Sequence, residues 1–485
     1  MFRPVFGTET EYGVSPTGKV QVEDIVTWLF KAASHGGVPG VQRDETNIWV
    51  VNGARLYRDI GSHPEYATPE CTEPREIACH EWAGPIMLNK AYRSRPATSE
   101  RPVVRILKNN TDHLASTSYG NHINVLMPLR QSFGDDLEDF VGAMGAMLAT
   151  LPLVVGAGLV IPPGPQCRTR LAGRNFRYRI SARSHFFAKL IGTASTSTQE
   201  RPMFLARDEH HVPRPGGGSH PYWRLQPIFF DSNILPSVIE LKVGLVVLAV
   251  LMWAEGSVTP ISLANPVAAF RQLSSDWKIP LSVVAGRRLT AVQVGLHYLA
   301  QAEAFVKRRQ LAMFEPILAE WRFQLQAFSR STGVPEALFL RNDWVTKWLM
   351  IKRRTERTGC HDYYIAENLH LHYHTFELGD HFADSVPVRL AERASGSAFL
   401  EAARRASLRP PAAARGVVRS AFVNLVGSSS PHRAEAAIVG PLAVDWSRLQ
   451  LGQHHINIGD PFTTDVRPVS ELGQLLAAGR QLPAA

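Results

Sequence analysis

The chain runs to 485 residues with 45% hydrophobic and 20% charged residues, room for a large folded domain plus a smaller one and too little compositional bias for a disordered chain. The net charge of +9, mostly arginine, suits nucleic acid, a nucleotide or an acidic protein partner; no dense basic run with interleaved aromatics is present, which ranks nucleic acid last. Cys71, Cys79, Cys167 and Cys360 lack Cys-x-x-Cys or zinc-finger spacing, and the N-terminus lacks a signal-peptide apolar core, so a cytoplasmic protein with free thiols is expected.

In chain order, Phe2 to Val14 reads as a strand, Val22 to Ala33 as a helix and Trp49 to Tyr57 as a second strand. Arg105 to Leu107 and His122 to Met127 follow as strands, and Asp136 to Thr150 as a helix. Met203 to Arg207 and Tyr222 to Phe230 are strand candidates around Pro213-Arg-Pro-Gly-Gly-Gly-Ser-His-Pro221, which lacks the Lys-Ser/Thr of a P-loop and reads as a flexible insertion. From Ile239 the pattern turns helical, through Val283 to Phe305, Met313 to Phe328 and Asp343 to Arg353. Two apolar stretches read as buried rather than membrane-spanning. Val243 to Ala254 is short and bounded by Lys242 and Glu255, and Val141 to Pro163 is interrupted by Gly145, Pro152, Gly156 and Gly158. A Ser/Ala/Arg/Pro-rich stretch at Leu408 to Ala414 marks a boundary before a short helix, Arg415 to Val426, and the run Ala443-Val-Asp-Trp446. The expected division is therefore 1–407 and 408–485.

Two acidic runs carry the chemistry. In Gly7-Thr-Glu-Thr-Glu-Tyr12 the carboxylates of Glu9 and Glu11 alternate, so a strand would project both to one face. Alternating acids are common on solvated strands. Here, however, a second run, Asn52-Gly-Ala-Arg-Leu-Tyr-Arg-Asp-Ile-Gly-Ser-His-Pro-Glu65, brings Arg55, Tyr57, Asp59 and Glu65 within a short distance of each other along the chain. Neighbouring bare acids repel unless a cation lies between them, and a hard divalent metal carrying phosphate oxygens answers that need. The pattern points to a metal and nucleotide site on a sheet.

These two runs resemble the Pup ligase and depupylase family, a branch of the glutamine synthetase-like carboxylate–amine ligases. Leu107-Lys-Asn-Asn-Thr-Asp112, Ser118-Tyr-Gly-Asn-His-Ile-Asn124, Ala206-Arg-Asp-Glu209, Arg224-Leu-x5-Asp231-Ser-Asn233, Leu241-Lys-Val-Gly244, Asp343-Trp-Val345, Leu371-His-Tyr-His374 and Val444-Asp-Trp446 extend the resemblance, in order, over nearly the whole chain. It implies an α+β fold: a curved, mainly antiparallel sheet backed by helices, with 1–407 as a glutamine synthetase-like catalytic domain and 408–485 as a small C-terminal domain closing on the nucleotide.

The resemblance also implies roles. Glu9, Tyr57 and Glu65 would hold Mg²⁺, and Glu11 would hold or orient a second ion. Arg55 and Thr68 would contact ATP, Trp446 would reach it from the C-terminal domain, and Asp59 would be the catalytic base. The implied reaction phosphorylates the γ-carboxylate of the C-terminal glutamate of a Pup-like modifier, and a lysine of a protein substrate then attacks. The implied partners are that modifier, lysine-bearing proteins and, indirectly, the proteasome, without nucleic acid or membrane. His122 and Asn124 would lie near the nucleotide, and Ile123 departs from the Glu usual in relatives, which puts metal or substrate binding there in question. Arg207, Arg224, Arg415 and Arg419 are candidate contacts for phosphate or the modifier's acidic tail. His370, His372 and His374 alternate like a metal clip, but no carboxylate or thiol completes a set, so a structural or substrate-groove role is expected. Depupylases carry a long insertion between the two acidic runs, whereas only Gly13 to Val51 separates them here, which favours the ligase. The alternatives are a depupylase or deamidase, a ligase acting on free glutamate, and a non-catalytic binding relative.

Overall fold

The computed structural model describes residues 2–16, 20–33, 38–44, 46–59, 61–94, 103–112, 117–164, 169–173, 175–192, 201–208, 221–284, 286–360, 362–428 and 442–477. Cys167, Glu209 and the glycine-rich segment 213–220 lie outside them.

Nine strands form the central sheet: β1 (Phe6–Glu11), β2 (Gly40–Asp44), β3 (Asn47–Val50), β4 (Arg55–Asp59), β5 (His63–Ala67), β6 (Asn121–Pro128), β7 (Phe187–Gly192), β8 (Arg201–Asp208) and β9 (Tyr222–Pro227). Their order is β7-β8-β9-β6-β1-β5-β4-β3-β2. Every pairing is antiparallel except β7 with β8. The α+β class expected from the sequence is therefore the one observed, and β1 lies mid-sheet.

Three sequence expectations change. Phe2 to Val14 is not one strand, because the chain leaves β1 at Tyr12 and Gly13–Pro16 joins a separate three-stranded sheet. Trp49 to Tyr57 is a hairpin: Asn52-Gly53 turns the chain, Gly53 takes φ +81°, and Val50 and Ala54 close the loop with a 3.0 Å hydrogen bond. Glycine accepts that left-handed backbone at no steric cost, and Asn-Gly is the strongest short hairpin signal. Val283 to Phe305 begins as a small hairpin, Leu281–Ser282 with Arg288–Leu289, and becomes helical only at Ala291, where Thr290 and Gln293 form a capping box.

Helices α1 (Val22–Ala32), α2 (Pro74–Arg93), α3 (Phe133–Thr150) and α4 (Pro236–Ala254) follow; α2 and α4 pack on each other and on the back of the central strands. Helix α4 starts earlier than its most apolar stretch and, at 19 residues with mean hydropathy 2.0, is long enough to cross a membrane. It is instead a core helix, 83% buried, as an all-round apolar surface demands in a large fold. Of its two charged residues, Glu240 and Lys242, the fully buried Lys242 donates to the Asn121 side chain at 2.8 Å and the Asp231 carbonyl at 2.9 Å. Further on lie α5 (Asp343–Thr358), α6 (Tyr363–His374) and α7 (Gly416–Ser428). A second hydrophobic cluster gathers Val418, Phe422, Val444, Leu449 and Leu472 with Val41 of β2 and Trp49 of β3. The C-terminal segment thus has its own core, completed by two residues of the sheet edge.

Candidate active site

Strand register builds the site. Residues paired across a sheet share a face. Glu11 stands opposite Glu65, and Glu65 opposite Tyr57; one rung further, Glu9 is flanked by Ala67 and His122; at the other end, Asp59 pairs with His63. Glu9, Glu11, Tyr57, Asp59, Glu65, His122 and Asn124 therefore project to one face. Thr8, Thr10 and Tyr66 turn to the helical side.

Two clusters of ligand atoms result, each with its members within 4.8 Å of one another: Glu9, Glu65 and His122, and Glu11, Asp59 and Glu65. His122 bridges the acids, with Nδ1 at 3.5 Å from Glu9 and Nε2 at 3.7 Å from Glu11. Glu9 also accepts from Gln226 at 3.2 Å and lies 3.9 Å from Arg224. Burial works to raise the Glu9 pKa, but the His122 hydrogen bond and charge, with Arg224, overcome it and hold it low. Burial raises Glu11, and burial followed by the charges of Glu9, Glu11 and Asp59 pushes Glu65 well above the carboxylate range. His122 and Arg224 offset only part of this crowding of carboxylates, and the donors are predominantly oxygen, so the set fits a hard divalent ion such as Mg²⁺.

Tyr57 fits the expected role less directly. Burial and then the charges of Glu9 and Glu65 push its phenol well above 10, so it is a neutral hydroxyl hydrogen-bonded to Glu65. Asp59 lies within ligating distance of Glu11 and Glu65 and is not set apart from the cluster by separation. What distinguishes it is position: Glu65 and Glu11 are 3% and 7% exposed, whereas Asp59 is half-exposed at the end of β4, before a turn in which both Gly61 and Ser62 adopt positive φ.

At the other end of the face is a pocket lined by Phe6, Gly7, Thr8, Glu9, Thr68, Asn124, Arg224, Arg415 and Trp446. Thr68 hydroxyl accepts from the Thr8 amide at 3.0 Å, and a Cβ on Gly7 would come within 3.0 Å of that hydroxyl. Trp446 sets its ring edge-on to Trp49 at 4.7 Å, so it serves both the C-terminal core and the pocket wall. Arg55 is held over the Tyr57 ring at 4.3 Å by a 2.8 Å bond to Asn47; it borders the acids rather than lining the pocket.

Several candidates have other duties. Ile123 is fully buried in the main core and pairs with Thr8, so strand alternation aims it away from the acids and its departure from Glu does not touch the ligand set. Arg419 and Arg415 hold the buried Glu70 at 2.9 and 2.7 Å, which makes them an internal anchor of α7. Arg207 is bonded to Gln226 at 3.2 Å, and Arg224 to Asn124 at 3.0 Å. His370 and His374, one helical turn apart on α6, both contact Lys347 Nζ of α5, at 2.9 and 2.8 Å, while His372 is exposed. Burial and the Lys347 charge hold both rings well below the ordinary histidine pKa, so this is a structural cluster behind the site.

Reasoning from sequence placed His122 near the nucleotide and did not single out Gln226, because their contacts with Glu9 depend on strand pairing. It missed a buried network behind β1 in which Glu81 accepts from Lys108 at 2.6 Å and from Asn121 at 3.1 Å, with Lys242 on the same Asn121. Lys108 and Lys242 thus meet the buried charge of Glu81, with Asp231 and Asp343 also acting on Lys242, so the network behind the acidic face is held together by opposite charges.

A family model described as Pup-ligase protein matches residues 4–450. The Pup--protein ligase of Acidimicrobium ferrooxidans is 31% identical over 490 residues, covering 97% of this chain and 98% of that protein; that of Kineococcus radiotolerans is 30% identical, covering 95% and 97%. Among solved structures, the complex between the prokaryotic ubiquitin-like protein Pup and its ligase PafA has a TM-score of 0.80 at 26% identity, over 98% of this chain and 93% of that one. PafA in complex with ADP has a TM-score of 0.72 at 26% identity, over 97% and 96%. With an acidic face beside a pocket on a mainly antiparallel sheet, the chain belongs to the Pup ligase family and is an ATP-dependent carboxylate–amine ligase.

Proposed function

We propose that the protein joins the C-terminal glutamate of a Pup-like modifier to lysines of other proteins, through a γ-glutamyl phosphate and an isopeptide bond. The observation that carries this reading is the placement of Asp59, half-exposed, at one end of an acidic face whose other end opens into the pocket bordered by Thr68 and Trp446. Glu9, Glu11 and Glu65 would hold Mg²⁺ with His122 beside them, and Tyr57 would fix Glu65. When bound, Mg²⁺ neutralises phosphate charge and polarises the transferred phosphoryl group. Thr68, Trp446 and Arg224 border the nucleotide, and Arg55 supplies a guanidinium fork for phosphate oxygens. The γ-carboxylate is placed between these ends, where it becomes the acyl phosphate. The lysine enters from the Asp59 end, where the carboxylate takes its proton so that the amine can attack the acyl carbon of the γ-glutamyl phosphate and displace inorganic phosphate. Residues 408–485 act as the small unit that carries Trp446 to the pocket.

The ligase names of the relatives and the short segment between the acidic runs support ligation over removal of the modifier. The test mixes protein, Mg-ATP, Pup ending in glutamate and a lysine-bearing target. A covalent conjugate with ADP release is expected; cleavage of preformed conjugate with none formed would reverse the reading.

A further inference from the structure

A modifier that reacts through the γ-carboxylate of its last residue brings that residue's α-carboxylate to the same place. This second anion approaches a face already carrying Glu9, Glu11, Asp59 and Glu65, so a cation must meet it. Arg183 is close but fully buried, and its guanidinium is committed to the Ser118 hydroxyl and to the carbonyls of Ile228 and Phe230, at 3.0, 2.6 and 3.0 Å.

Arg201 is different. It opens β8 and is half-buried, and its Nη1 donates to the Ser118 carbonyl at 3.1 Å. Its Nε is shielded from solvent and meets no acceptor among the described residues. A buried donor without a partner is costly, and an acceptor that reaches it recovers that cost. The position is also suitable. Ser118 lies two residues before Gly120, whose carbonyl accepts the Glu11 amide at 3.1 Å, so this guanidinium stands at the Glu11 end of the face, away from the pocket at Phe6–Glu9. The Glu11 charge acts on Arg201 as well, opposing a burial that holds its pKa below the usual arginine value.

We infer that Arg201 binds the terminal α-carboxylate of the modifier through the guanidinium edge carrying Nε, with Nη1 remaining on Ser118. A side-on guanidinium matches a carboxylate with two parallel hydrogen bonds. The free C-terminal carboxylate is then a recognition element in its own right, and it orients the last residue so that its γ-group points to the metal and nucleotide end. This inference rests on the ligase reading above.

The test is a two-by-two comparison. Pup ending in glutamate is made with a free terminal α-carboxylate or as the α-amide, and each is assayed with wild type and with Arg201→Met. In wild type the amide is expected to raise the KM for Pup about tenfold or more. Arg201→Met raises the KM for the free acid similarly, leaves the KM for ATP unchanged, and removes most of the preference for acid over amide. Arg201→Lys keeps the charge without the fork and is expected to retain an intermediate preference; it also serves where the Met variant does not fold. An undiminished preference in the soluble variants, or none in wild type, overturns the assignment of Arg201 while conjugation stands. Failure of wild type to conjugate either form would instead reject the ligase reading.

Discussion

Asp59 and Ile123 lie on strands of the same sheet and project to opposite faces. Asp59 contributes a carboxylate near Glu11 and Glu65 at the exposed end of β4. Replacing it with Asn preserves shape and removes the base. Asp59→Asn is expected to bind nucleotide with a Kd within about threefold of wild type while the conjugation rate falls by on the order of a hundredfold or more; isothermal titration and a single-turnover assay measure the two separately, and full conjugation by this variant would remove Asp59 from the mechanism. Ile123 is fully buried on the helical side of β6. Installing a carboxylate there adds no ligand and buries an unpaired charge, so Ile123→Glu is expected to lose about 3 kcal/mol or more of stability. A normal melting temperature with tighter metal binding would show that this position faces the acids after all.

The hairpin of β3 and β4 fixes both Arg55 and Tyr57, and it also receives the C-terminal segment. Gly53, at φ +81°, sits so close to α7 that a Cβ there would lie 2.6 Å from the Gly416 carbonyl. The Gly53 carbonyl in turn accepts from Arg419 at 2.7 Å. Gly53→Ala therefore adds left-handed strain and a backbone clash at one point. It is expected to cost about 2–3 kcal/mol and to weaken nucleotide binding, because α7 and Trp446 must move together. Thermal denaturation and ATP titration check the pair of effects; a loss of stability with unchanged ATP affinity would uncouple the hairpin from the pocket.

Over the whole molecule, Glu70 ties the end of the catalytic sheet to the C-terminal segment. Burial alone would raise its pKa, but Arg419 and then Arg415 bring it from the ordinary 4.5 down to about 2. A carboxylate whose pKa falls on folding contributes stability that is fully present above 4.5 and is lost as pH drops through 2. The shift corresponds to about 3 kcal/mol at neutral pH. Glu70→Gln is expected to lose about that much at pH 7, with the gap to wild type closing between pH 4.5 and 2. Denaturant titration at several pH values measures it, and a gap independent of pH would mean that the charge is not what joins the two parts. Removing one partner also leaves Arg415 and Arg419 buried without their anion, which adds to the loss.

Alternation alone put Glu9 with Glu11 and Tyr57 with Asp59, since side chains repeat every two residues along a strand whatever surrounds it. The left-handed Gly53 turn was equally local and readable in Asn52-Gly53, although the run from Trp49 to Tyr57 looked continuous. The order of family-like blocks carried the fold, because ordered motifs along the chain reflect one architecture. Long-range pairing was not legible. His122 meets Glu9 across β6 and β1, Gln226 reaches Glu9 from β9, and Ile123 turns to the core, each through a register linking segments more than a hundred residues apart. The arginines behaved the same way: sequence offered Arg415 and Arg419 to phosphate or the modifier's acidic tail, and the fold pairs both with Glu70 while leaving Arg415 on the pocket wall. A charge takes the partner that burial leaves within reach, and which groups are buried together is decided only when the chain has packed.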